Sequence, residues 1–195
     1  MNRRQLLKLA ATVGGMALVY ARARAQAPTD IATLLRLGGC ALMLRHAQTE
    51  PGVGDPPGYR LGQCSTQRNL SPAGREQAVQ ISQWFKARNL RPTSVQTSIW
   101  CRCKDTAELA FGHYAVLGAL ASTFDNPGIQ KSQDSQEMQT RELRARLQTI
   151  PKGQFEVWVT HQVNITALTG QVPAMGEAIL VSSKAQLLGR TFFAL

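Results

Sequence analysis

The sequence predicts a single α/β domain with a largely parallel sheet and helices on both faces. Three observations carry this expectation. Short apolar runs of strand length alternate with stretches of helical period. The runs at 40–44, 94–97 and 155–160 are compact enough for strands of a buried sheet. The chain has 195 residues, enough for one sizeable core and too few for a comfortable second.

Each element has a local reason. Ile31 to Leu37 predicts a short helix closed by Gly38-Gly39. Cys40 to Leu44 predicts the first strand, which ends at Arg45-His46. Residues 47–70 have no periodicity and many turn formers, among them Pro51, Gly52, Gly54, Pro56 and Pro57. A loop this long in a compact domain is usually functional. Ser71-Pro72 opens a helix to about Asn89, because serine caps free amides and proline suits the first turn. Ala78, Ile81, Trp84 and Phe85 set its apolar face. Ser94 to Thr97 predicts the second strand, and Cys101 to Phe111 a helix ending at Gly112. Residues 112–135 read as irregular, and Gln136 to Leu147 as a polar outer helix. Phe155 to Thr160 is the third strand, followed by a helix from Asn164 to Thr169 closed by Gly170. Ala178 to Val181 and Thr191 to Leu195 are expected as two further strands.

Residues 1–25 are expected to be an export signal, leaving 26–195 as the folded domain. Arg3-Arg4 is followed by Leu6, Leu7 and Lys8, then by an apolar run from Leu9 to Tyr20 and by Ala23-Arg24-Ala25. A charged front, an apolar middle and small residues at the end are the layout of a cleaved leader. The paired arginines point to the Tat route and hence to a periplasmic location. The apolar run is too short to span a bilayer, which argues against a stable membrane anchor. These residues hold five basic side chains and no acidic one, so the net charge of +10 falls to +5 without them. The remaining excess suits an anionic substrate. No basic patch interleaved with aromatics supports nucleic-acid binding.

An even number of cysteines, four, permits disulfides in an exported chain. A bridge from Cys64 to Cys101 or to Cys103 is expected, whereas Cys40 sits in an apolar run as a small hydrophobe. Only three histidines exist and none lies near Cys101 and Cys103 at ligand spacing, which argues against zinc.

In parallel sheets, ligands bind beyond the carboxyl ends of the strands. The first strand leads into Arg45-His46, the second toward Ser98 and Arg102, and the third into His161. Two guanidinium forks match the oxygens of a phosphate monoester and offset its charge. A neutral imidazole can attack phosphorus. No metal or other cofactor is required by this set.

These motifs resemble the histidine phosphatase superfamily, also called phosphoglycerate mutase-like. Leu44-Arg45-His46-Ala47 resembles its first motif, and Asn69-Leu70-Ser71-Pro72-Ala73-Gly74-Arg75 the opening of its first long helix. The segment from Ser98 through Arg102 to Thr106-Ala107 resembles its serine, arginine and threonine-alanine stretch. Val159-Thr160-His161-Gln162 resembles its second histidine motif. The resemblance spans roughly 38–182. It implies a phosphomonoester hydrolase in which His46 becomes phosphohistidine, Arg45 and Arg102 bind phosphate, and His161 donates to a phosphoryl oxygen. The 55–59 loop, the 64–69 segment and 161–170 look like exported members, some of which act on lipopolysaccharide core heptose phosphate.

A proton donor for the leaving oxygen is still needed. Many relatives place an acidic residue soon after the second arginine, which makes Asp125 the first candidate. Glu177, and then Glu50 and Asp55 in the long loop, follow it. Two other functions compete. A noncatalytic phosphate- or sugar-phosphate-binding module would keep the arginines without needing His46. A phosphoglycerate-type mutase would carry insertions for which the chain is short, and export would separate it from free sugar bisphosphate. The expected partner is a phosphorylated small molecule or glycan; nothing in the sequence bears on oligomeric state.

Overall fold

A computed structural model describes residues 30–124 and 133–193. Among them a six-stranded sheet is flanked by helices on both faces, as expected. In chain order, the strands are β1 (Cys40–Arg45), β2 (Ser94–Thr97), β3 (Ala115–Val116), β4 (Phe155–Thr160), β5 (Ala178–Ser182) and β6 (Leu187–Thr191). The helices are α1 (Ile31–Leu37), α2 (Pro72–Ala87), α3 (Cys101–Phe111), α4 (Gln133–Thr149) and α5 (Gln162–Thr169). Short helical turns occupy 64–66 and 118–120.

The sheet order is β3-β2-β4-β1-β5-β6. The pairs β1–β4, β2–β4 and β2–β3 are parallel; β1–β5 and β5–β6 are antiparallel. Register decides where the strand ends fall. Arg45 lies opposite Thr160, and Thr97 opposite Val159. The chain therefore leaves β1, β2 and β4 at one edge, into His46, Ser98 and His161.

The central strands bury both faces. Leu42 and Leu44 of β1 face a core with Ile81, Trp84 and Ala107, while Ala41 and Met43 face Leu143, Leu147 and Ile165. This alternation follows from the two-residue period of a strand. Each fully buried large side chain contributes roughly 1.5–3 kcal/mol. α4 is polar outside, but Leu143 and Leu147, four apart, fix it to the second core.

Two expectations are corrected. The last strand is Leu187–Thr191, not Thr191–Leu195. Its position is set by the tight turn after β5, where Ser182 N–H donates to the Gln186 carbonyl and Ala185 takes a positive φ of 57°. Phe193 instead enters the core against Trp84, with ring centroids 5.3 Å apart. The 112–135 stretch is not wholly irregular. It contains β3, the 118–120 turn that buries Leu120, and the first residues of α4. A two-residue strand with exposed side chains carries no hydrophobic period.

Of the two bridges left open by the sequence, Cys64–Cys101 is formed; Cys103 and Cys40 are buried free thiols. Among the described residues, no helix is long and apolar enough to cross a membrane.

Candidate active site

The strand edge opens into a cavity of about 290 Å³ lined by Arg45, His46, Arg102 and His161. Asp55 and Arg68, from the long loop, also line it. The register and three backbone contacts hold the first of these groups. His46 N–H donates to Thr160 O at 2.9 Å, Arg45 N–H to Glu177 O at 3.0 Å, and Ala47 N–H to Thr106 Oγ1 at 3.0 Å. The loop after His46 lies hard against the start of α2. A Cβ on Gly74 would stand 1.8 Å from the Gln48 carbonyl oxygen, so only glycine fits that turn of helix. Ser71 caps the same turn by accepting from Gly74 N–H at 3.1 Å.

The two imidazoles are 5.4 Å apart, centroid to centroid, and both are buried. His46 Nδ1 lies 2.9 Å from the Ala47 carbonyl, which can only accept. Nδ1 therefore carries the hydrogen, and Nε2 keeps its lone pair. His161 is set the opposite way. Its Nε2 lies 2.8 Å from Ser98 Oγ, which already accepts from Trp100 N–H. When Ser98 donates to Nε2, the ring hydrogen sits on Nδ1 and is available to a ligand. The Cys103 thiol lies 3.4 Å from the same Nε2. Burial pushes that thiol up to about 12, so it stays protonated.

Burial, and then the neighbouring Arg102 and Arg45, lowers His46 from 6.5 to about 3. Burial and Arg102 likewise hold His161 well below 6.5. Both rings are neutral at ordinary pH. The unfolded chain gains a proton at each histidine below about 6.5 while the folded chain does not. Folding stability is therefore expected to be complete above that value and to fall as pH drops from 6.5 toward 3. The expected slope is about 1.4 kcal/mol per pH unit for each histidine. Urea unfolding at several pH values checks this; His46→Gln should flatten the slope, and an unchanged slope would count against the burial argument.

The arginines are preorganised. Arg45 Nη1 donates to Gln162 Oε1 and to the Pro173 carbonyl, each at 2.8 Å. Arg102 stacks over Trp100 at 4.6 Å and gives Nη1 to both oxygens of Asp55, at 3.0 and 2.9 Å. The Nε hydrogens of Arg45, Arg68 and Arg102 are buried without a partner among the described residues. A cavity with unspent guanidinium donors and neutral imidazoles is built for an oxyanion.

The structure brings together Arg45, His46, Arg102 and His161, all expected from sequence. Of the acidic candidates, Asp55 lines the cavity. Glu50 is exposed and does not line it. Glu177 is buried but away from the lining, where its carboxylate accepts from Arg190 Nε at 2.6 Å and Ala174 N–H at 2.8 Å. Burial would raise that carboxyl, but the Arg190 and Ala174 hydrogen bonds outweigh it and hold it low, which suits a structural ion pair. Asp125 lies outside the described residues, as does the 1–25 segment. Arg68 is a cavity residue that sequence reasoning misses; its one signal is its place inside the 64–69 segment.

The sheet order and connectivity are those of a phosphoglycerate mutase-like α/β fold. The model of the histidine phosphatase superfamily (branch 1) matches residues 41–120. No curated protein matches the sequence. Among solved structures, TTHB049 from Thermus thermophilus is similar at 16% identity and a TM-score of 0.53, covering 78% of this chain and 99% of that one. A phosphoglycerate mutase from the same organism is similar at 18% identity and a TM-score of 0.53, covering 80% and 99%. The protein histidine phosphatase SixA complexed with tungstate is similar at 12% identity and a TM-score of 0.50, covering 78% and 94%. At these identities the likeness is one of fold.

Proposed function

We propose that the protein is an exported, metal-independent phosphomonoester hydrolase working through phosphohistidine on His46. The observation that carries this reading is the free Nε2 of a buried, neutral His46 in a cavity with unspent arginine donors. Nε2 forms the N–P bond as the P–O bond to the alcohol breaks. Arg45 and Arg102 take the phosphoryl oxygens, and His161 Nδ1–H donates to one of them. These contacts strengthen as charge moves onto the phosphoryl group, which is where electrostatic catalysis acts. Water then breaks the N–P bond and leaves inorganic phosphate.

Asp125 is the proposed proton donor to the leaving alcohol, since the Asp55 oxygens are already acceptors for Arg102 and for Arg68 N–H. The natural substrate is a phosphorylated small molecule or glycan, with lipopolysaccharide heptose phosphate one member of that class. Export is supported by the leader-like N-terminus and by the Cys64–Cys101 bridge, which suits an oxidising compartment.

The test is turnover of p-nitrophenyl phosphate by the full chain in EDTA. Metal-independent hydrolysis is expected. Arg45→Ala should lower kcat/KM by about 3 kcal/mol, roughly a hundredfold or more, because it removes a charged partner of the transition state. Phosphate binding by calorimetry without any turnover would replace the enzyme with a binding module.

A further inference from the structure

Arg68 is a cavity residue that lies one position before the Asn69–Arg75 motif. It enters from the segment between Cys64 and the cap of α2, and it is held in three ways. Its backbone N–H donates to Asp55 Oδ1 at 2.8 Å, its Nη1 donates to the Gly52 carbonyl, and its chain lies four residues from the Cys64–Cys101 bridge. Yet its Nε is buried with no partner among the described residues, as are those of Arg45 and Arg102. A guanidinium fixed by one nitrogen, with another left unpaired beside a cavity, is preorganised for a ligand.

The charge of the lining is specific. Among the described residues, three arginines and one aspartate are its only formally charged groups, which with neutral histidines leaves +2. Arg45 and Arg102 bound to Asp55 would leave only +1 without Arg68. A phosphodiester carries one negative charge, whereas a monoester above its second ionisation carries two. Burial and the nearby Arg102 lower the Arg68 guanidinium, and Arg45 is lowered by burial and by Arg68, so the three cations share one field. Mutual repulsion of that kind is relieved by a multiply charged anion.

We propose that Arg68 is a third phosphoryl-site arginine that makes this pocket select dianionic phosphate monoesters over monoanionic phosphate. The assignment rests on the reading of the cavity as a phosphatase site. Asp55 has a matching part: it balances one guanidinium and, through Arg68 N–H and Arg102 Nη1, ties the two cations together.

The experiment is calorimetric titration of the full chain with inorganic phosphate on both sides of its second ionisation, at about pH 5 and about pH 8. The wild type should bind more tightly at the higher pH, because His46, at about 3, stays neutral across that range. Arg68→Met should weaken binding of the dianion roughly 10- to 100-fold and leave the monoanion nearly unchanged, so the ratio collapses. Arg68→Gln, which keeps a polar amide in place of the guanidinium, is the second neutral variant should the first fail to fold. Arg68→Lys should keep most of the ratio, since charge is what selects. The proposal is overturned if neutral variants weaken both forms equally, if they keep the wild-type ratio, or if lysine behaves as methionine does. Intact p-nitrophenyl phosphate turnover with an unchanged ratio would sink the Arg68 assignment alone. A wild type that binds no phosphate and turns nothing over would sink the phosphatase reading with it.

Discussion

His46→Ala is expected to lower kcat by roughly 10⁴- to 10⁶-fold, the range seen when a covalent nucleophile is deleted. It should also abolish an acid-labile, base-stable phosphoenzyme. The size of the effect follows from the geometry. Nδ1 is committed to the Ala47 carbonyl, so Nε2 is the single nucleophilic atom the ring can offer. The second ring is placed differently: its Nε2 is engaged by Ser98 at 2.8 Å and lies 3.4 Å from the Cys103 thiol. Arg45, Arg102 and His161 would remain, so phosphate should still bind while chemistry stops. Rapid quench with radiolabelled substrate, set beside phosphate calorimetry, reads both quantities. A labelled protein persisting in the variant would mean that another residue is the nucleophile. Weakened phosphate binding in step with lost turnover would point to a collapsed pocket instead.

Replacing Cys64 and Cys101 with serine together should cost about 4 kcal/mol of folding stability. The bridge spans 37 residues, and in the chain-entropy account closing a loop of that size restrains the unfolded chain by about that amount. That is a large share of the roughly 5–15 kcal/mol of a whole domain. The bridge also has a local consequence. Cys64 precedes Arg68 in the long loop, and Cys101 is the first residue of α3, one before Arg102. Gln67 Oε1 accepts from Cys101 N–H at 3.0 Å beside the bridge, so the loop and the helix start form one unit. Freed loop motion should raise KM more than it lowers kcat, because the loop supplies binding groups and not the nucleophile. Urea unfolding with and without a reductant, set beside steady-state kinetics of the double variant, checks both parts. Coincident unfolding curves would show that the bridge contributes nothing.

Much of the fold is legible in the sequence because its signals are local. β2, α3 and β4 fall where apolar period, caps and glycines place them. So does α1, with Asp30 accepting from Thr33 N–H at its start. β6 lies earlier than the sequence suggests, since the stretch after β5 is polar and its pairing partner, not its composition, determines where it forms. β3 leaves no sequence signal for the same reason: two exposed residues become a strand only by pairing with β2.

The site divides along similar lines. Arg45, His46, Arg102 and His161 can be found from sequence because each lies at the end of a strand or in the segment just after it, and parallel register gathers strand ends at one edge. Arg68 and Asp55 come from a loop without period, and only packing brings them to Arg102. The choice of Cys101 over Cys103 belongs to the same class. On α3 the two cysteines point in different directions, one to the long loop and one inward beneath His161, and helix orientation decides which meets Cys64. Periodicity and capping act over a few residues, so the alternation of strands and helices and the four groups at strand ends are written in the residue order. The pairing of His161 with Ser98, the third arginine and the bridge are settled only in the folded chain, because each depends on contacts between segments far apart in sequence.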